Sequence, residues 1–431
     1  MAAGPVNRIP PDVRLAAARA RAYDVVRRIL HRLGLVRRRW VSDTGFANVP
    51  LDADVLVHFG DDPSRLYQLE QWLPVLERLH EEHPVAVLTR DPATLVEVSR
   101  ATRLPVLFVK HLDGINRLLE RNDVHLMLYV NHSNLNFQTL MFGEVLHVHL
   151  NHGESDKRSM ASHQSKAYDR VFVAGPAAVD RYRNNVFEFD EGKVVVVGRP
   201  QLDVSYPQVL QPSDRPTVLY APTWAGDRAA MNYSSVDVYG LAMVEQILAA
   251  GQYRLVYKPH PRVPEEHKAT APAHRAIVAA IERAAGADPA AGHRVELSAS
   301  VLSLIPDADA MITDVSSVGL DFLYLATDRP LLLTDRHNDS SALTAAAPLA
   351  AGADIINAET VGATAQILAA ALQTDPRKAD RARVNEHYFG GLARGESTTR
   401  FLTAVDEAIT AQQTWSKQRG AVARPPTLRH E

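Results

Sequence analysis

Polar side chains suited to anion binding stand where an apolar strand pattern changes to a helical pattern. The segment MITDVSSVGLDF, residues 311–322, carries four of them at this junction: Thr313, Asp314, Ser316 and Ser317. The first turn of a helix has free backbone N–H groups, and neighbouring hydroxyls add further hydrogen-bond donors. The junction is therefore predicted to bind a phosphate or diphosphate, and a purely capping role for Ser316 is the alternative.

A second junction carries cationic side chains directly after another strand pattern. The segment YKPHPR, residues 257–262, contains Lys258, His260 and Arg262 within five positions. The two intervening prolines stiffen the turn and remove two backbone donors, so the side chains project from a rigid loop. Closely spaced cations of this kind are typical of phosphate binding, and a packing role for His260 is the alternative.

Two further strand ends carry candidate site residues. The segment VLYAPTW ends at Thr223 and Trp224, which are candidates for nucleotide contacts, with packing as the alternative for Trp224. The segment HVHLNHG contains His147, His149 and His152, and strand alternation puts the first two on one face, as at the start of some zinc sites. Because no matching set of acids or histidines stands out downstream, no metal or other cofactor is predicted.

Short β-branched runs alternate with helical patterns along most of the chain, and this alternation positions the candidate residues at strand ends. It predicts parallel sheets covered by helices on both faces, which is the doubly wound α/β architecture. At 431 residues the chain exceeds one ordinary core. We predict two Rossmann-like domains that face a central cleft, residues 51–205 and 206–415, joined by a polar, proline-rich linker at 199–216. Residues 1–50 form a basic N-terminal segment, and residues 416–431 are predicted to be a disordered tail.

The composition is that of a globular protein, with 46% hydrophobic and 23% charged residues. The net charge of −3 disfavours a nucleic-acid partner, and the absence of cysteine excludes disulfides and cysteine-ligated zinc. No apolar run approaches the roughly 20 residues that a membrane span needs. A cytoplasmic location is therefore expected.

Five motifs occur in the order expected of one family, and the resemblance extends over residues 145–404. They read VGRPQLD, LYAPTWAGD, YKPHPR, MITDVSSVGLDFLYLATDRPLL and GESTTR. Together they resemble the CDP-glycerol glycerophosphotransferases of wall teichoic acid synthesis. The resemblance implies a GT-B fold, a CDP-glycerol or similar CDP-polyol donor, a lipid-linked glycan or polymer acceptor, and release of CMP.

The resemblance and the chemistry of phosphoryl transfer together assign roles to the strand-end residues. His152 of the first domain is implied to be the base that removes the acceptor proton, and His260 is the second predicted catalytic residue. The donor diphosphate is predicted to contact six residues of the second domain: Lys258, Arg262, Thr313, Asp314, Ser316 and Ser317. The nucleotide is predicted to contact three others: Thr223, Trp224 and Asp321. Cationic and N–H groups stabilise the charge that develops as the bond to the leaving nucleotide loosens.

The chain departs from the family pattern beside the predicted base. Where the family has WHGTPLK, this chain reads NHGESDK, so that Asn151 replaces tryptophan and Glu154-Ser155 replaces threonine-proline. Because this departure lies next to the acceptor, the acceptor stays open, and Glu154 or Asp156 is the alternative base. Two other function classes also remain: a GT-B glycosyltransferase that uses a nucleotide sugar, and a non-catalytic nucleotide-binding protein at a membrane surface.

Residues 13–40 combine an apolar stripe at helical spacing with an excess of arginine. The stripe consists of Leu15, Ala18, Ala22, Val25, Ile29, Leu33 and Val36. Such a pattern predicts an amphipathic helix that lies on an anionic membrane surface and associates the protein peripherally with the inner face of the cell membrane. A helix that packs on the body of the protein is the alternative.

Removal of this segment tests the membrane prediction. We expect the full chain to sediment with anionic liposomes and to be released at high salt, because salt screens such attraction over about 10 Å or less. A chain that begins at Asp52 should remain in the supernatant. Equal sedimentation of the two proteins would argue against a membrane-binding role for residues 13–40.

Overall fold

The structure, a computed structural model, describes residues 47–48, 50–156, 160–226, 232–264 and 270–422. The basic segment predicted to form a membrane-surface helix, residues 13–40, lies outside the described residues. Residues 157–159, in the loop that follows His152, also lie outside them.

A seven-stranded sheet organises the first half of the chain. Its strands are β1 (Val55–Phe59), β2 (Val85–Thr89), β3 (Val106–Phe108), β4 (Leu126–Tyr129), β5 (Leu146–His149), β6 (Arg170–Val173) and β7 (Val194–Val196). They lie in the order β3-β2-β1-β4-β5-β6-β7, and all neighbours are parallel. The order reverses between β1 and β4, and ligands of open α/β sheets bind outside the carboxyl ends of the strands at such a point.

A six-stranded sheet organises the second half in the same way. Its strands are β8 (Thr217–Ala221), β9 (Arg254–Tyr257), β10 (Arg294–Val295), β11 (Ala310–Thr313), β12 (Leu331–Thr334) and β13 (Asp354–Ile356). They lie in the order β10-β9-β8-β11-β12-β13, again with parallel neighbours. The reversal between β8 and β11 brings the carboxyl ends of the two strands that carry the APTW and TDVSS segments side by side.

Helices connect the strands and cover both sheets. In the first half they are α1 (Tyr67–Glu70), α2 (Leu73–Leu79), α3 (Pro92–Ala101), α4 (Leu112–Arg121), α5 (Asn136–Thr139), α6 (Pro176–Asn185) and α7 (Pro200–Asp203). In the second half they are α8 (Leu241–Ala250), α9 (Thr270–Ala287), α10 (Ser317–Leu325), α11 (Ser340–Ala346), α12 (Thr364–Thr374), α13 (Lys378–Phe389) and α14 (Glu396–Val422).

The strands are apolar on both faces, and this pattern produces the layered architecture. In β1, Val55 and Val57 belong to one buried cluster, whereas Leu56 belongs to the cluster on the opposite face of the sheet. In β8, Leu219 and Val218 are divided between two clusters in the same way. Because successive strand residues point to opposite faces, a sheet with two apolar faces requires helices on both sides. The predicted doubly wound α/β fold class is confirmed.

The last helix returns to the first sheet. Phe401, Val405 and Ile409 of α14 are buried in the cluster that contains Val57 of β1. The ring of Phe401 lies 5.4 Å from that of Trp72, measured between ring centroids. The domain boundaries predicted from sequence put this helix with the second domain, and the tail was predicted to be disordered from residue 416. In the structure the helix packs on the first domain and continues to Val422, because its apolar residues at three- and four-residue spacing match a face of the first sheet.

The connection between the two sheets is ordered rather than a flexible linker. Pro200, Gln201 and Leu202 of α7 are buried. The carboxylate of Asp203 accepts hydrogen bonds from the backbone N–H groups of Gly395 and Thr398, at 2.8 and 2.7 Å. The two segments that cross between the domains are therefore tied to each other.

Candidate active site

A cavity of about 840 Å³ lies between the domains at the carboxyl ends of both sheets, as the doubly wound pattern predicts. Seven of the predicted site residues line it: His152, Thr223, Trp224, Lys258, His260, Ser316 and Ser317. The other four do not line it: Arg262, Thr313, Asp314 and Asp321. The structure thus brings seven predicted residues from the two domains together at one cavity. The remaining four contact other parts of the protein.

The loop that carries His152 is held in shape by its own neighbours. Asn151 has a φ of 60°, in the left-handed region that asparagine tolerates better than most residues. Its carbonyl oxygen accepts a hydrogen bond from Trp72 Nε1 at 2.6 Å, and its side-chain Oδ1 accepts the N–H of His152 at 3.0 Å. The asparagine that replaces the family's tryptophan therefore shapes the turn that presents His152 to the cavity.

Gly153 brings this loop into contact with the second domain. A Cβ atom at this position would lie 3.0 Å from the Cβ of Ser317, which is tighter than ordinary packing. The absence of a side chain at Gly153 therefore permits the His152 loop to lie directly on the start of α10. The loop of the predicted base and the helix start predicted to bind an anion therefore meet at this contact.

The proline-locked loop fixes the ring of His260. Its backbone N–H donates to Pro222 O, and its Nδ1 accepts the backbone N–H of Arg262, both at 3.1 Å. Because Nδ1 is an acceptor here, the neutral ring carries its proton on Nε2. His260 therefore presents a hydrogen-bond donor, which suits an oxygen of a phosphate.

Arg262 has a different role from the predicted one. Its guanidinium carbon lies 3.7 Å from the centroid of the Trp224 ring, in the geometry of a cation–π contact. Arg262 does not line the cavity, whereas Trp224 does. The structure therefore places the arginine against the Trp224 ring, behind the wall of the cavity.

Lys258 is placed beside a loop that the sequence analysis did not single out. Lys258 Nζ donates to Leu297 O at 3.1 Å, and burial lowers the pKa of Lys258, with Glu296 acting in the opposite direction. Burial alone would raise the pKa of Glu296, but hydrogen bonds from Ala299 and Ser298 lower it to about 2. The ionised Glu296 thus folds the loop at 298–300, which lines the cavity.

The serine-led junction divides into a part that lines the cavity and a part that bonds to neighbouring strands. Ser316 precedes α10 and makes no side-chain cap, and both serines line the cavity. Asp314 is fully buried and accepts hydrogen bonds from Thr223 N at 2.7 Å and from Thr334 Oγ1 at 2.6 Å. Thr313 is buried too and donates to Ala221 O at 2.7 Å.

This division corrects the predicted roles of Thr313 and Asp314. Both were predicted to contact a diphosphate, but their polar atoms point to neighbouring strands. A carboxylate would also repel a diphosphate, so Asp314 acts by holding the turn at Thr223 in position. Ser316 and Ser317 remain the candidate diphosphate contacts of this junction.

Asp321 also differs from its predicted role in nucleotide binding. It is buried, and its Oδ1 lies 2.9 Å from the Nη2 of Arg199 at the start of the interdomain connection. Burial raises the pKa of Asp321 to about 6, while the Arg199 charge opposes this rise and Glu154 adds to it. Asp321 does not line the cavity. Its contact with Arg199 instead joins α10 to the connection between the domains.

The two alternative bases are engaged with an arginine and a tyrosine. Arg181 of α6 pairs with Glu154 and lies 3.5 Å from Asp156, and Tyr388 of α13 donates a hydrogen bond to Asp156. Burial raises the pKa of Asp156 to about 6, against the hydrogen bond from Tyr388 and the charge of Arg181. Neither carboxylate lines the cavity. His152 lines the cavity, so it is better placed to act as the base than either Glu154 or Asp156.

Tyr67 is a cavity residue that the sequence analysis missed. It begins α1, and its ring centroid lies 5.2 Å from that of His260 and 6.2 Å from that of His152, edge-on to both. Its ring is therefore close to both predicted catalytic histidines. Its position just after the carboxyl end of β1 was the available signal, but no motif marks it.

The rival metal site does not form among the described residues. His147 bonds Tyr129 and the carbonyl of Phe142, and His149 is buried with its ring stacked 4.9 Å from that of Tyr168. Burial lowers the pKa of both histidines. Within the part of the chain that the structure describes, no three histidine, cysteine or acidic side chains group in a way that could hold a metal ion.

Comparison with known proteins adds a family and a fold. A model of the family CDP-glycerol:poly(glycerophosphate) glycerophosphotransferase matches residues 119–405, a range that contains every predicted site residue. No curated protein matches the chain.

Two solved structures illustrate the shared fold. The wall teichoic acid polymerase TagF is 14% identical with a TM-score of 0.53, and the match covers 93% of this chain and 98% of that chain. A glycosyltransferase from Rickettsia africae is 12% identical with a TM-score of 0.50, and the match covers 82% of this chain and 98% of that chain. The predicted GT-B fold is confirmed.

The buried pair of Asp321 and Arg199 gives a testable pH dependence. The pKa of Asp321 is about 6 in the folded protein, because the carboxyl group is buried, whereas its ordinary pKa of 3.8 applies in the unfolded chain. This group's contribution to the free energy of unfolding therefore grows as pH falls from about 6 to about 4 and shrinks as pH rises. Asparagine does not titrate. We therefore expect the free energy of unfolding of the natural protein to rise, relative to that of Asp321→Asn, as pH falls through this window.

Urea unfolding at several pH values measures that difference. The exposed Asp328, close to the end of α10, provides the matched control, and Asp328→Asn should follow the natural protein at every pH. A difference for Asp321→Asn that does not change with pH would show that Asp321 does not titrate as described.

Proposed function

Because this chain belongs to the CDP-glycerol:poly(glycerophosphate) glycerophosphotransferase family, we propose that it transfers a glycerol phosphate or related polyol phosphate unit from a CDP-activated donor. The acceptor is a hydroxyl of a membrane-linked glycan or teichoic acid-type polymer, and CMP is released. The observation that carries the proposal is that His152 and His260, from different domains, line one cavity and that the ring of Tyr67 lies close to both. A histidine variant of the structurally similar TagF has been soaked with CDPG, which supports a CDP-glycerol donor.

The donor is held by the second domain. Its diphosphate lies between the Lys258–His260 side of the proline loop and the start of α10, where Ser316 and Ser317 line the cavity. The ammonium group, the imidazole Nε2–H and the N–H groups of the helix start supply complementary charge. Thr223 and Trp224, which line the same cavity, contact the nucleotide.

Transfer proceeds by attack of an acceptor hydroxyl on the phosphorus that bears glycerol. His152 accepts the hydroxyl proton as the new bond from oxygen to phosphorus forms. The bond from that phosphorus to the bridging oxygen of CMP breaks, and the electron pair leaves with CMP. His260 and Lys258 stabilise the negative charge on the departing phosphate.

The proposed acceptor is carried by a membrane, which fits the basic segment at residues 13–40. An anionic surface on the inner face of the cell membrane would attract its arginines. Among the described residues no helix has the length and apolar character needed to cross a membrane. The arginines of residues 13–40 are the basis on which the protein is proposed to work in the cytoplasm as a peripheral membrane enzyme.

Replacement of the base tests the chemistry separately from donor binding. We expect His152→Ala to lower turnover by about 10²–10⁴-fold, the usual contribution of a general base. Affinity for CDP-glycerol should change little, because the second domain holds the donor. CMP release and calorimetric titration measure the two quantities.

The exposed His163 of the same domain provides a control. His163→Ala should retain normal turnover, and folding of all variants is checked by circular dichroism. Turnover of His152→Ala close to that of the natural protein would remove His152 from the mechanism.

Replacement of His260 tests the donor site. We expect His260→Ala to weaken CDP-glycerol binding and to lower turnover, because it removes a donor from the diphosphate and stabilisation from the leaving group. The exposed His387, which does not line the cavity, provides the control, and His387→Ala should keep normal donor affinity and turnover. Unchanged donor affinity and rate in His260→Ala would exclude this site.

The same assay separates the alternative function classes. CDP-glycerol, CDP-ribitol and UDP-sugars are offered in parallel, and release of CMP or UDP is recorded. We expect release from a CDP-polyol. Release from UDP-sugars alone would identify a nucleotide-sugar glycosyltransferase, and binding without release would identify a non-catalytic protein.

A further inference from the structure

The wall of the cavity that belongs to the first domain differs in chemistry from the wall that holds the donor. Besides His152, it presents a phenol, three amides, one carboxylate and one hydroxyl: Tyr67, Gln68, Gln71, Gln164, Glu70 and Ser155. Among the described residues of this wall there is no lysine or arginine. The donor wall, in contrast, presents Lys258 and the start of α10.

A chain of hydrogen bonds fixes the polar groups of this wall. Asn131 Nδ2 donates to Asp61 Oδ2 and to Gln68 Oε1, both at 2.9 Å. Gln68 Nε2 then donates to the hydroxyl oxygen of Tyr67 at 3.2 Å. Since this oxygen accepts from Gln68, the hydroxyl proton of Tyr67 is available to a ligand in the cavity. Asp61 is held in turn by Ser133 Oγ at 3.0 Å.

Among the described residues, the first-domain side chains that bring charge to this wall are mainly carboxylates, while the charges of Arg65 and of Arg262 from the second domain act on Tyr67. Glu70 lines the cavity, and Asp61 lies behind Gln68. Arg65 is the cation of the same segment, but it is exposed and does not line the cavity. A chain of polyol phosphates carries one negative charge per unit and would meet these carboxylates, and juxtaposed like charges disfavour binding.

We propose that the first-domain wall is the acceptor site and that it takes an uncharged, polyhydroxylated acceptor, a neutral glycan unit, rather than a poly(polyol phosphate) chain. Amides and a phenol can both donate to and accept from sugar hydroxyls. The flat face of Tyr67 offers an apolar surface to the ring of a sugar. The assignment of this wall to the acceptor rests on the proposed function, whereas its preference for a neutral ligand rests on its own side chains.

Binding experiments with the full chain test the preference without any donor. Two soluble probes with the same short alkyl tail are compared: a neutral disaccharide glycoside and a tri(glycerol phosphate). We expect the glycoside to bind about tenfold or more tightly than the phosphate probe, because of the carboxylates on the wall. Equal or tighter binding of tri(glycerol phosphate), or no binding of the glycoside, would overturn the proposal.

A charge reversal on the wall adds a second, independent readout. We expect Glu70→Lys to raise affinity for tri(glycerol phosphate) and to narrow the preference between the two probes. Glu120→Lys makes the same change on α4 at an exposed position outside the cavity, and it should leave the preference and the turnover unchanged. An unchanged preference in a folded Glu70→Lys variant would show that this wall is not the acceptor site.

Addition of CDP-glycerol to the same samples distinguishes failure of the inference from failure of the proposed function. If the glycoside binds and CMP is released when CDP-glycerol is added, the inference and the proposed function are both supported. If the glycoside binds and no CDP-polyol is consumed, the proposed donor is wrong and the preference of the wall stands. If only tri(glycerol phosphate) stimulates CMP release, the proposed function stands and the inference fails.

Discussion

One buried network of charges sets the position of the predicted base. Arg181 pairs with Glu154 and lies close to Asp156, and Asp156 accepts the hydroxyl of Tyr388. The arginine and both acids belong to the first domain, whereas the tyrosine belongs to the second. Loss of one member of a buried ion pair typically costs about 3–5 kcal/mol, because the partner charge remains without compensation. The shape of the His152 loop and the arrangement of the two domains therefore depend on the same contacts.

The positions of strands and strand-end sites could be predicted from the sequence, because both follow from short-range patterns. The apolar runs define parallel strands, and parallel strands bring their carboxyl ends to one edge. Lys258, His260, Ser316 and Ser317 follow such runs directly and line the cavity as expected. These predictions needed no knowledge of which strands are neighbours.

The direction of individual side chains could not be predicted in the same way, because it depends on partners far along the chain. Asp314 points into the protein, where it accepts a hydrogen bond from the N–H of Thr223. Arg262 points away from the cavity, where it makes a cation–π contact with Trp224. Tyr67 was missed since its segment resembles an ordinary amphipathic helix. The return of α14 to the first sheet was equally hidden, because an apolar stripe does not identify the surface that covers it.

The contacts between the domains favour a preformed site over one assembled by closure. Two chain crossings are joined at Asp203, and Asp321 pairs with Arg199 across the same region. Gly153 lies against Ser317 at the other end of this interface. Phosphoryl transfer depends on holding the attacking hydroxyl and the donor phosphate in line, and fixed groups achieve this without reorganisation during the reaction. Because the loop of the proposed base already lies against the start of α10 at Gly153 and Ser317, the chemistry of the first-domain wall is left to determine which hydroxyl is presented to the proposed donor.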